Sequence, residues 1–134
     1  MQKYLISYFV TALIFLSIDA IWLGLIAKKL YFNNLSYILA EKPNFIAAGV
    51  FYLIYVIGIV VFAISPAFKM NSASTALLYG SLFGFFAYLT YDMTNYSTIK
   101  NWPIMITFVD ILWGTILTGF SSCVGYIVTK SIIQ

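Results

Sequence analysis

The sequence predicts an all-α membrane protein with four transmembrane helices in an antiparallel bundle. Three observations carry this. Hydrophobic residues make up 63% of the 134 residues and charged residues only 8%, against about 25% charged in soluble domains. Four apolar windows, each long enough to span lipid, fall at about 4–27, 45–64, 75–91 and 104–129. Strand-like alternation is absent, which leaves helices rather than a barrel to satisfy the backbone in lipid. One membrane domain, 1–134, is expected.

The first window begins after Lys3. It is long, holds Asp19 and lacks a small-x-small cleavage site, so it reads as a retained span rather than a signal peptide. The connection "KKLYFNNLSYILAEKP" places Tyr31, Leu35, Ile38 and Leu39 on one side at helical spacing. A short interfacial helix or an irregular loop with anchoring aromatics is expected there. Pro43 precedes the second span, Pro66 follows it and Pro103 opens the fourth, where a missing N–H costs nothing.

Net charge is +3, from seven Lys with no Arg and no His. Scattered lysines without bidentate Arg exclude nucleic acid as a partner. The absence of His removes the commonest metal ligand and general base; no cofactor and no metal are expected. The single Cys, Cys123, lies in an apolar run and reads as a small buried hydrophobe. Lys3, Lys69 and Lys130 share one side, and Lys28, Lys29, Lys42 and Lys100 the other. The positive-inside rule therefore selects no orientation.

Of the four acidic residues, Asp19, Asp92 and Asp110 lie in or at the end of spans. An acid at the bilayer centre costs roughly 2.5–3.5 kcal/mol, so each is a candidate functional residue. Asp19 precedes Lys28 by nine residues, Asp92 precedes Lys100 by eight, and Asp110 follows Pro103 by seven. At about 1.5 Å per residue the three lie at one level, roughly 10–14 Å in from the same edge. A role in packing alone requires no common depth. Carboxylates placed together repel, so at least one is expected to hold a proton, with Lys28, Lys29 or Lys100 reaching inward as counter-ion.

Asp110, Gly114, Thr118, Ser121 and Gly125 share a face of the fourth span; Gly80, Gly84, Tyr88, Tyr91 and Asn95 cluster on the third, with Asp92 at the margin. Small residues let membrane helices approach closely, which predicts that these faces meet. "DAIWLG" and "DILWGT" share Asp-x-x-Trp, with Asp and Trp on one helix face. This suggests an indole N–H near a carboxylate, with Trp22 as an interface anchor the alternative.

The phrases "DAIWLGLIA", "YDMTNYSTIKNWP" and "VDILWGT", in this order, resemble a bacterial family of predicted membrane proteins, domain of unknown function 2177. The likeness covers roughly residues 1–130. By motif match Asp19, Trp22, Asp92, Thr94, Asn95, Trp102, Pro103, Asp110 and Trp113 carry the family pattern. The resemblance implies a four-helix protein of the bacterial inner (plasma) membrane, and family members that neighbour fatty-acid modification genes imply a link to lipid.

The expected function is a polar site near one membrane face that binds a lipid headgroup or small polar ligand. Its candidate residues are Asp19, Asp92, Asn95, Asp110, Trp22, Trp113, Tyr88, Tyr91 and Thr94. One alternative is an accessory subunit of a membrane complex, which predicts a membrane-protein partner. The other is a small proton, cation or solute transporter, which predicts a homo-oligomer because four spans make a narrow path.

Overall fold

The computed structural model describes all residues, Met1–Gln134. Four helices are long and apolar enough to cross a membrane: α1 (Gln2–Leu35), α2 (Phe45–Met70), α3 (Ala73–Thr98) and α4 (Ile104–Ile133). There are no strands. Every helix outruns its hydrophobic window. Hydropathy marks the lipid-matched part, whereas the polar flanks extend the same helix; Pro66 in α2 is the one breaker among them.

α1 shows this most clearly. It runs through Lys28 and Lys29 to Leu35, so residues 31–35 are its last turns and not a separate interfacial helix. A π-helical turn at Trp22–Ile26 interrupts it. One inserted residue rotates everything beyond it by about 100°. On a regular helix Tyr31 would stand about 120° from Asp19; the insertion brings it back to within about 20°.

α2 carries a second π turn, Val60–Ile64, immediately before Ser65 and Pro66. Pro66 therefore lies within the helix rather than after it. The widened turn accommodates the missing N–H and the clash of the ring with the carbonyl four residues back. The Asn44 side chain caps α2 by accepting from Ala47 N–H at 3.0 Å, and Ser72 caps α3 by accepting from Thr75 N–H at 3.2 Å. Asn71 (φ 49°) ends α2 in the left-handed conformation that Asn tolerates.

α4 is the central helix, packing along α3 and against α1 and the second half of α2. Its buried face includes Asp110, Gly114, Thr118, Ser121 and Gly125. A side chain at Gly84 would meet the Gly114 carbonyl and Thr118, and one at Gly80 would meet Ser122. The glycines thus permit backbone approach that any Cβ would forbid. α1 adds Ser7, Thr11, Phe15 and Asp19, four residues apart, as its buried stripe. Phe15, Tyr55, Ile59, Val60, Ile64 and Leu117 form the main apolar core.

Candidate functional site

At the end of the bundle where α4 begins, close packing gives way to a cavity of about 160 Å³ bordered by Asp19, Asp110, Trp22, Trp113 and several tyrosines. α1 supplies Asp19 and Trp22 just before and within its π turn, and α4 supplies Asp110 and Trp113.

Asp19 is buried and doubly bonded. Its Oδ1 accepts from Trp113 Nε1 at 3.1 Å, and its Oδ2 accepts from Tyr52 Oη at 2.5 Å. The two Asp-x-x-Trp motifs therefore interlock, the indole of one serving the carboxylate of the other. Trp22 stacks on Trp113, with ring centroids 4.3 Å apart and planes 12° apart. Trp22 is half-buried against Trp113 and borders the cavity.

Asp110, also buried, accepts from the Tyr31 hydroxyl. Tyr31 reaches it from the far end of α1 because helical side chains lean toward the helix N-terminus, here into the membrane. Asp92 lies behind, beside the Asp110 carboxyl. It is 0% exposed, and no hydroxyl, amide or indole donates to either of its oxygens; the Asp110 carboxyl is the one polar group within reach.

Tyr88 and Tyr91 border the cavity. Tyr88 lies flat over Gly114, where a Cβ would strike the ring. Tyr91 is partly exposed and meets Trp102 edge-on at 5.9 Å. Asn95 is half-buried and neighbours the Tyr91 hydroxyl without lining the cavity. Thr94 stands apart: its side chain is exposed and donates to its own backbone at Tyr91 O, 3.0 Å away. A hydroxyl on the outer side of a lipid-facing helix takes this bond when no partner helix faces it. Trp102 is buried with Leu35 and Ile106 in a small cluster that seats the end of α1 on the start of α4.

Lys28, Lys29 and Lys100 are exposed, so none is the expected counter-ion. No three acidic groups converge closely enough to ligate one metal ion. The acids are met by neutral donors only: two tyrosine hydroxyls and one indole.

Tyr31 and Tyr52 belong to the site although neither was among its sequence-based candidates. Tyr52 had a signal, since it follows Pro43 by nine residues and so lies at the depth of the acids. Tyr31 had none, because only the π turn brings it round.

No curated protein and no solved structure matches this chain. The family described as "Predicted membrane protein", domain of unknown function 2177, matches residues 4–127 and includes all three buried acids. The chain belongs to that family of membrane proteins.

Proposed function

We propose that this protein binds the headgroup of a membrane lipid, or a small polar molecule of the same chemistry, in the cavity between Asp19 and Asp110. The observation that carries this reading is Asp92. A carboxyl that is wholly buried and met only by another carboxyl, with no hydroxyl, amide or cation to serve it, weakens a helix bundle. A hydroxyl retained for packing is far cheaper to bury than a carboxyl, whether it is bonded, as Thr118 is to Tyr55 at 2.9 Å, or left unpaired, as Thr11 is. The Asp92–Asp110 pair instead suits a task that needs negative charge or an exchangeable proton next to a cavity.

Transport across the bundle is disfavoured by Phe15 and Leu117. Both are fully buried and fill the bundle interior in the main apolar core. The bilayer is proposed to be a bacterial inner membrane, where helical rather than barrel spans prevail.

The stacked Trp22–Trp113 pair provides a fluorescence reporter. Titration with ethanolamine, choline, glycerol and glycerol phosphate is expected to give a saturable change with at least one of them. Asp110→Asn should weaken that response about tenfold, the range for one charge-assisted contact. A flat response to all four compounds contradicts the reading.

A further inference from the structure

A second, larger void lies beside the cavity. α2 and α3 pack together around the π turn Val60–Ile64, and Gly58 sits against the Phe83 ring. Toward the level of the acids the two helices part. The gap is a groove of about 380 Å³ lined entirely by Phe51, Tyr55, Ala87, Tyr88 and Tyr91. Tyr88 and Tyr91 line the polar cavity as well. The apolar groove and the carboxylate pocket are therefore two sides of one tyrosine wall.

The groove faces outward between two membrane-spanning helices, so hydrocarbon is what surrounds it. Its volume falls in the range of small-ligand pockets, and its walls offer aromatic and methyl surface without a charge. The cavity behind the wall has the opposite character. Carboxylates, stacked indoles and phenols surround it, and no lysine is near. That combination attracts an organic cation: carboxylates supply the charge, and aromatic faces stabilise an ammonium group. A headgroup without a cation has nothing to pair with these carboxylates.

We propose that the groove between α2 and α3 is a lateral doorway for an amine-headed bilayer lipid, one acyl chain lying along Phe51, Tyr55 and Ala87 while its ammonium group reaches Asp19 and Asp110 past Tyr88. This rests on the cavity being a binding site and specifies its ligand.

The test uses the full chain in phosphatidylglycerol nanodiscs containing a trace of phosphatidylethanolamine or phosphatidylglycerol with a diazirine in the acyl chain. Labelled peptides are mapped by mass spectrometry. Phosphatidylethanolamine is expected to label residues 51–55 and 87–91 about tenfold more than phosphatidylglycerol. Ala87→Leu and the bulkier Ala87→Phe, which fill the groove, should remove that excess but leave the fluorescence response to free ethanolamine. Equal labelling by the two lipids overturns the proposal, as does an excess that survives both Ala87 variants. If ethanolamine still binds in that case, the cavity reading stands and only the doorway falls. If none of the four headgroup compounds gives a response either, both fall. Should the variants fail to fold, the ratio of the two lipids on the wild-type chain decides alone.

Discussion

The two ends of the bundle are built from polar residues in opposite ways. Toward the C-terminus of α4, serines, threonines and glycines let helices close to backbone contact. Gly80 lies on Ser122, and Gly125 on Thr11. Ser122 donates to the carbonyl of Thr118 at 2.6 Å and Ser7 to that of Lys3 at 2.7 Å. Thr11, Ser121 and Thr129 lack partners there, but an unpaired hydroxyl costs only about 1–3 kcal/mol. Toward the N-terminus of α4, large aromatics and carboxyls hold the helices apart around a cavity. Polarity in a membrane helix is thus either glue or a site, and side-chain size and the cost of burying each polar group tell which.

This contrast can be broken most severely at the glue end. Gly84→Leu forces α3 from α4 at the Gly114 carbonyl and should lower stability by about 3 kcal/mol. Thermal unfolding in detergent measures it, and an unchanged midpoint would mean that close approach is not what holds these helices. At the border, Trp113→Phe keeps the stacking on Trp22 but leaves Asp19 Oδ1 unpaired. A loss of about 1–2 kcal/mol is expected, together with altered binding in the cavity. The same unfolding measurement, repeated with ethanolamine, separates the two effects. The smallest change is expected from Thr94→Ala, less than about 0.5 kcal/mol and no effect on binding, because that hydroxyl serves only its own helix. A binding defect there would enlarge the site beyond the cavity described.

The positions of the spans were legible because hydropathy reports contact with lipid. Their ends were not, because Lys28–Leu35 and Met93–Thr98 continue the helices with polar or mixed residues. Helix rise put the three acids on one level, and the structure sets Asp92 beside Asp110 and both Asp19 and Asp110 around one cavity; the glycine face followed from helical periodicity. Tyr31 was hidden by the π turn, which no propensity at Trp22–Ile26 announces. Thr94 was misplaced because sharing a segment with Asp92 does not mean sharing its face: two residues apart on a helix is about 200°. The interlocked Asp19–Trp113 bond needed the third dimension, since it joins residues on two helices that are far apart in sequence.

The most direct measurement of the difference between glue and site is the unfolding midpoint of Asp92→Asn against wild type, both empty and in the same detergent. The amide removes an unpaired buried carboxyl and can donate to Asp110. If the acid level is kept for binding, the variant is more stable, by about 1 kcal/mol. A fall of the same size would show that Asp92 holds the helices together and would contradict the account.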